Sequence, residues 1–475
     1  MTEKNVQTDN KVLKAGAGYV IGNYLLKGIT FLSAPIFTRL LTKEEFGLFG
    51  TYTSYESILY IFIGLALHSS LNNAKYKYKE KFNEYVSFLI TFTGICTFLW
   101  LILANVFYDC YGSFFDFSRP VVNIMILHCF GTSMFQFFNV YVSLNYQVKS
   151  FLTMTSINAI SNMVLSIALL LTVFYDSRLL GRIIGVATPE IIIGIFIVYY
   201  FYKKSKPAFK KNYFSYGLRY SIPIIPHGIS QIVLSSFDRI MINEMIGSAQ
   251  AGLYNFSYTV NSLVRVVASS LDNVWKPWLY EKMDKKDYDS IRKQGTKYAL
   301  GMGLFTSLVV IATPEVIKIL GAREYWDSVD CTIPVIVGGF FAFMYTLPVM
   351  IEYYYERTEL IAVATIMAAV LNVVLNWFCI AEYGYIAAAY TTLITYFLYF
   401  LFHFIIAAKI HGKSLFSILQ LFGICAGVLV IAAVTLLIQD YFVIRLILGL
   451  ILAVISFIWA DRSFNIVAVI KKKMG

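Results

Sequence analysis

The sequence predicts an all-α polytopic membrane protein with about fourteen transmembrane helices, built as two pseudo-symmetric six-helix lobes followed by two extra C-terminal helices. Three observations carry this. Of 475 residues, 58% are hydrophobic and 14% charged, against roughly 25% charged in soluble domains, and the mean hydropathy is +0.66. Apolar windows of about 20 residues, the length that crosses a ~30 Å hydrocarbon core, recur along the whole chain. The first half also matches the second after a shift of about 200 residues, the mark of an internal repeat.

In chain order, a polar tail over 1–14 precedes the first apolar run, which is long enough to remain as a span, so no cleaved signal is expected. The windows then fall near 15–37, 46–71, 84–108, 120–146, 150–175 and 180–202, which makes 15–202 the N-lobe. Residues 203–215 form a basic linker, and 216–237, 250–271, 294–313, 331–355, 359–381 and 383–408 make 216–408 the C-lobe. Two additional spans, 415–438 and 442–461, occupy 409–461, and 462–475 is a basic tail. Polar stretches at 203–219 and 272–297 are the sizeable cytoplasmic segments expected outside the spans.

Lys and Arg are retained on the cytoplasmic side. Counting alternate connections, one side holds 28 of them, including "AKYKYKEKF", "YKKSKPAFKK" and the final "KKK", and the other side holds nine, among them Arg39, Arg182, Arg239 and Arg445. Both termini are therefore expected in the cytoplasm, and the net charge of +11 reflects topology rather than nucleic-acid binding. The six cysteines form no C-x-x-C pair and have no histidine at ligand spacing, so no metal or redox site is readable. The two on the outer side, Cys110 and Cys331, lie in different halves, which argues against a disulfide.

The repeat is visible in detail. A shift of 200 sets "PIFTRLL" over "SSFDRIM", with Arg39 on Arg239; a shift of 205 sets "LFGTYTSYES" over "LYNFSYTVNS"; a shift of 210 sets Asn162 on Asn372. The chain crosses the membrane an even number of times between equivalent positions, so both copies have the same orientation.

"PIFTRLLTKEEFGLF" and "IGLALHSSLNNAKYKYKEKFNEYVS" resemble the end of the first helix and the second helix of the polysaccharide flippase family. With two six-helix units and fourteen spans, the resemblance covers nearly the whole chain. It is to the Wzx-type exporters of O-antigen and capsule precursors, within a larger group that also holds lipid II flippases and multidrug/cation antiporters. What the resemblance implies is two lobes around a central cavity lined by the first, second, seventh and eighth helices, in the inner (cytoplasmic) membrane.

Polar residues inside apolar spans mark the expected site, because an intramembrane charge costs roughly 2.5–3.5 kcal/mol on insertion scales and needs a partner or water. In the eighth helix Tyr258, Asn261, Arg265, Ser269 and Asp272 recur at helical spacing on one face. Tyr19, Asn23 and Lys27 do so in the first helix, and Tyr52, Glu56 and Tyr60 in the second. In the repeat Lys27 corresponds to His227, and Glu56 and Tyr60 to Asn261 and Arg265.

Each residue also has a structural reading. Lys27 and Glu56 can form a buried ion pair; Arg265 can pair with Asp272 or reach toward headgroups. His227, after Pro223 and Pro226, can be a core histidine beside a proline kink. Asn158, Asn162, Asn372 and Asn376 can hydrogen-bond between helices, and Trp275 and Trp278 suit an interfacial belt. Glu190 follows Pro189 at mid-span with no basic neighbour on its own helix. Either a cation from another helix meets it or it is protonated in one state, which would make it, with Glu56, a coupling site for H+ or Na+.

The sign of these groups selects a cargo. Arg265, Lys27, His227 and Asn261 offer donors suited to phosphate, so the expected substrate is an undecaprenyl-diphosphate-linked oligosaccharide. Asn23, Tyr52, Tyr60, Tyr258 and Ser269 would line the cavity. A lipid II flippase or a cation-coupled multidrug antiporter of the same fold is the alternative. A multispan glycosyltransferase or ligase fits less well, because the longest outer connection, "PEVIKILGAREYWDSVD", carries no acidic pair suited to catalysis. No cofactor is implied, and the partners are the lipid-linked glycan, membrane lipid, a coupling ion and a polysaccharide polymerase.

Overall fold

The computed structural model describes residues 28, 31–112 and 117–464, and every regular element among the described residues is helical. Fourteen long helices follow in order: α1 (31–40), α2 (Lys43–Gly64), α3 (Phe82–Val106), α4 (Arg119–Leu144), α5 (Val148–Leu171), α6 (Arg178–Lys204), α7 (Ile225–Met245), α8 (Ser248–Asp284), α9 (Tyr288–Leu320), α10 (Val329–Met344), α11 (Thr358–Tyr383), α12 (Tyr385–His411), α13 (Ile418–Leu437) and α14 (Phe442–Phe464). A short helix, Thr346–Tyr354, continues α10 after one residue. Among the described residues ten helical stretches are apolar and long enough to span a membrane. Of the others, α2, α7 and α8 are long enough but too polar to qualify.

The chain divides into two compact units, Met1–Asn243 and Glu244–Gly475. The division falls at the end of α7, whereas the sequence places a linker at 203–215. That stretch leads into an amphipathic helix, Lys211–Ser221, and a tight turn over Ile222–Ile224 before α7 begins. The seventh helix thus starts nine residues later than the apolar window at 216, because Pro223 and Pro226 interrupt it. The polar stretch 272–297, expected as a loop, is helical except for a three-residue turn at 285–287: α8 runs through Pro277 to Asp284. Trp275 is accordingly buried in unit 2, with its ring centroid 5.3 Å from that of Tyr298 and 6.3 Å from that of Phe416, and does not sit in an exposed aromatic belt.

Local chemistry explains several ends. In "LLTKEEFG", Thr42 and Glu45 form a reciprocal capping box, with Glu45 N donating to Thr42 Oγ1 at 3.2 Å and Thr42 N to Glu45 Oε2 at 3.0 Å. The α4–α5 and α10–α11 turns each place one residue at positive φ, Tyr146 (54°) and Glu356 (58°), which are 210 positions apart. The repeat therefore extends to turn geometry.

Small residues set the closest helix approaches, as in other membrane bundles. A Cβ on Gly131 of α4 would lie 2.6 Å from the backbone of Glu190 on α6, and one on Gly194 would lie 3.1 Å from Gly131 Cα. Gly185 of α6 meets Ser166 of α5 in the same way, at 2.5 Å. Two arginines assigned by charge counting to outer connections are drawn into the helices. Arg182 sits over the rings of Phe37 (3.7 Å) and Phe49 (4.6 Å) and donates to Ser166. Arg445 on α14 is 2% exposed and makes a two-pronged pair with Glu315 on α9, at 2.5 and 2.6 Å. All six cysteines are free.

Candidate functional site

Unit 1 gathers a buried ionisable cluster on α2, α4 and α6. The Gly131–Gly194 approach brings α4 against α6 closely enough for two α4 side chains to reach Glu190. Thr132 Oγ1 lies 2.9 Å from Glu190 Oε2, and His128 Nε2, one turn earlier, lies 3.3 Å from the same oxygen. Asn158 of α5 donates to Glu190 Oε1 at 3.1 Å. From α2, Glu56 Oε1 meets the same Thr132 hydroxyl at 2.8 Å, and Tyr52 OH meets His128 Nδ1 at 3.1 Å with the two rings stacked. Pro189 inside α6 has no N–H, which leaves the carbonyl one turn above it without its helical donor beside the cluster.

The arrangement constrains protons. A hydroxyl has one hydrogen to donate, yet Thr132 stands between two carboxyl groups. One of the two contacts is satisfied only if that carboxyl carries a proton or a cation takes its place. His128 completes the set: in its neutral form one ring nitrogen accepts from Tyr52 while the other donates to Glu190, and in its charged form both donate. A group of two carboxyls, an imidazole, a hydroxyl and an amide can therefore hold a shared proton.

The two expected coupling candidates, Glu56 and Glu190, are thus brought together by one hydroxyl, and the ionisable group that meets Glu190 from another helix is the His128 imidazole. Sequence reasoning passed over His128 and Thr132. Their signal was present in "LHCFGTSM", where two polar residues four apart flank Gly131 on one face of an apolar helix. Asn158 was read only as a hydrogen bond between helices; it does bond between helices, and its partner is Glu190.

The remaining expected residues are dispersed. Lys27 and Asn23 lie outside the described residues, and with them the Lys27–Glu56 pair. Tyr52 is fully buried, so it belongs to the core of unit 1 and does not line an open cavity. Tyr60 and Tyr258 are half-buried; Ser269 donates to the carbonyl of Val266 on its own helix. His227 is half-buried, and its Nδ1 has no hydrogen-bond partner among the described residues. Asn261 is buried against α10, where a Cβ on Gly339 would lie 2.3 Å from its side-chain oxygen.

Arg265 is exposed and, among the described residues, has no ion-pair or hydrogen-bond partner. Asp272 instead accepts a hydrogen bond of 2.6 Å from Thr346, so the Arg265–Asp272 pair is not formed. Asn372 and Asn376 bond to each other and to Thr391 and Thr392 of α12.

The ten apolar helices long enough to span a membrane among the described residues define a multi-pass membrane protein. The solved structure of the lipid II flippase MurJ in an inward closed conformation superposes with a TM-score of 0.69 at 14% identity, covering 94% of this chain and 99% of that one. An inward-facing multidrug resistance MATE family transporter of the MOP superfamily superposes at 0.65 and 12% identity, covering 82% of this chain and 96% of that one. At these identities the likeness is one of fold. The chain belongs to the polysaccharide biosynthesis protein family, whose model matches residues 12–283. Relatives include the Lsg locus putative protein 1 of Haemophilus influenzae, 24% identical over 380 residues, 76% of this chain and 90% of that protein. An uncharacterised membrane protein of Methanocaldococcus jannaschii is 23% identical over 398 residues, 79% of this chain and 93% of its own length. The two fold neighbours are a flippase and a multidrug transporter.

Proposed function

We propose that the protein is a flippase that carries a polyprenyl-diphosphate-linked oligosaccharide from the cytoplasmic to the outer leaflet by alternating access, for polysaccharide assembly. The observation that carries this reading is Arg265: a guanidinium at mid-helix in α8, exposed and without an acidic partner among the described residues. Its planar array of donors matches a phosphate in charge and geometry. Membership of the polysaccharide biosynthesis family and the fold shared with a lipid II flippase support a lipid-linked cargo. The Glu56–Thr132–Glu190–His128 cluster supplies the coupling site for H+ or Na+. The charge asymmetry between the two sets of connections supports a cytoplasmic location for both termini.

One observation favours the second reading, a cation-coupled multidrug antiporter: acidic groups would suit a cationic drug. Their burial weighs against it. Glu56 is 8% exposed and the Glu190 side chain 17%, so little of either carboxyl is open to a drug.

The test is transport of a fluorescent undecaprenyl-diphosphate glycan by the protein in proteoliposomes, with binding measured on the same preparations. Hydrogen bonds to a charged group contribute roughly 1.5–3 kcal/mol, so Arg265→Ala is expected to weaken lipid-diphosphate binding about ten- to a hundredfold. Arg265→Lys, which keeps the charge but not the paired donors, is expected to retain part of the transport. Glu190→Gln is expected to remove gradient dependence while leaving binding intact. Normal binding and transport by well-folded Arg265→Ala would overturn the diphosphate site.

A further inference from the structure

Unit 2 buries an ionisable pair that the reading above does not use. Glu352, in the short helix that continues α10, places Oε1 2.6 Å from Nδ1 of His403 on α12, and both side chains are fully excluded from solvent. Their other polar atoms, Glu352 Oε2 and His403 Nε2, are also buried, and neither has a hydrogen-bond partner among the described residues. Aromatic packing encloses the imidazole. The Tyr399 ring meets it edge-on at 4.5 Å between centroids, Tyr345 lies at 5.8 Å, and the Tyr399 hydroxyl is turned away to Thr365 of α11 at 2.7 Å.

The charged and titratable groups on the surrounding elements leave the pair alone. Tyr353 shares the Glu352 helix, while Tyr345, Tyr396 and Tyr399 stand around it. From α8, Asp272 is bonded to Thr346, and Lys276 lies 5.5 Å from the ring of Tyr353. Arg357 and Glu359, at the start of α11, face each other at 3.8 Å, and Lys409 lies in the last turn of α12. Among the described residues none of these makes an ion pair or hydrogen bond with Glu352 or His403.

Counting protons shows what such a pair can do. The short contact needs one hydrogen between Oε1 and Nδ1. If that is its only proton, the imidazole is neutral, the carboxylate ionised, the pair carries a net charge of −1, and Nε2 is bare. With one more proton the pair is neutral overall, as imidazolium and carboxylate or as imidazole and carboxylic acid. In the first form, and in the second when the acid hydrogen lies in the short contact, Nε2 carries a hydrogen. A dry site without a counter-cation disfavours the net charge, whereas water reaching the pair would hydrate it.

We propose that Glu352 and His403 form an exchangeable proton site in unit 2, which takes up one proton when the helices close over it and returns it when water reaches it. The internal repeat does not predict this pair: an offset of 210 sets Glu352 on Val142 and His403 on Ile193, so its position differs from that of His128 and Glu190 in unit 1. The new pair lies toward the helix ends that carry Arg357 and Lys409, five and six residues further along. It thus exchanges with the side of the membrane those basic residues face. The inference stands whether or not Glu190 couples transport, and it does not depend on the cargo.

The experiment reads Nε2 directly. The full-length protein, which has five histidines, is labelled with 15N in the imidazole rings, placed in nanodiscs and followed by NMR through a pH series, with His403→Asn assigning the signal. The expected result is an Nε2–H at the acid end of the series that is lost in a single one-proton step as the pH rises. That step should be absent in Glu352→Gln, an isosteric change that keeps a hydrogen-bonding group. A bare Nε2 throughout the series, an Nε2–H that never exchanges, or a step that persists unchanged in Glu352→Gln would overturn the site. If the glutamine variant misfolds, the wild-type series still decides between the first two outcomes and the one expected.

Discussion

The unit 1 cluster depends on two helices touching at Gly131, and a single methyl group tests this. A Cβ at this position would lie 2.6 Å from the Glu190 carbonyl carbon and oxygen and 2.9 Å from Ile191 N, all backbone atoms that cannot rotate aside. Ordinary carbon contacts lie at about 3.5–4.0 Å, so α4 and α6 must part by roughly 1 Å. The Thr132–Glu190 and His128–Glu190 contacts, at 2.9 and 3.3 Å, would then stretch to about 4 Å, beyond hydrogen bonding. Overpacking of this kind costs about 1–3 kcal/mol. Gly94→Ala on α3 is the control, because it brings the same helix-propensity gain of up to ~1 kcal/mol and meets only Phe130 at 3.8 Å. Gly94→Ala is expected to melt at or above wild type. Gly131→Ala should melt below that control by several degrees, at roughly 2–4 °C per kcal/mol for a unit of this size, and should lose gradient dependence. Thermal unfolding by intrinsic fluorescence and transport in proteoliposomes measure both. If Gly131→Ala melts with the control and keeps its gradient dependence, the close approach does not hold the cluster together.

Two further outcomes concern structure. Arg445 and Glu315 clasp α14 to α9, so Glu315→Gln, which leaves the buried guanidinium unneutralised, should cost about 3–5 kcal/mol, and Glu315→Leu with Arg445→Met should recover most of it. A Glu315→Gln protein that melts with wild type would remove the clasp from the account. In the turn between α8 and α9, Asp287 accepts from Lys282 Nζ at 2.7 Å and caps α9 through Ser290 N. Its carboxyl is held down to about 2, first by the Lys282 hydrogen bond and then by Ser290, against about 3.9 unfolded. The folded value is the lower one, so this stabilisation is complete above about pH 4 and disappears as pH falls through about 2. Asp287→Asn keeps the cap but not the ion pair, and its melting difference from wild type should shrink over that window; a difference that does not change with pH would show that the ion pair contributes nothing.

What the sequence determined by itself is whatever depends on neighbours along the chain. Hydropathy located the spans, because burying some 20 apolar residues in lipid is a sum over consecutive side chains. The repeat was legible for the same reason. Hydropathy misplaced the start of α7 and the end of α8, because an α-helix needs only its own i to i−4 hydrogen bonds. It therefore continues past residue 271 through Lys276 and Glu281, where the apolar window ends. Arg265 and Glu190 were conspicuous as lone charges in apolar surroundings.

Only the tertiary structure decided what those charges meet. Asp272, a helical neighbour of Arg265, turns to Thr346 of the helix that continues α10, while Glu56 and Glu190, 134 positions apart, share Thr132. His128 and His403 looked like any other histidine in an apolar helix until packing put a glutamate beside each. The physical reason is that hydropathy and helical period show which face of a helix is polar but carry no information on which other helix that face meets. That choice rests on where a missing side chain, as at Gly131 and Gly194, lets two backbones come within reach of each other.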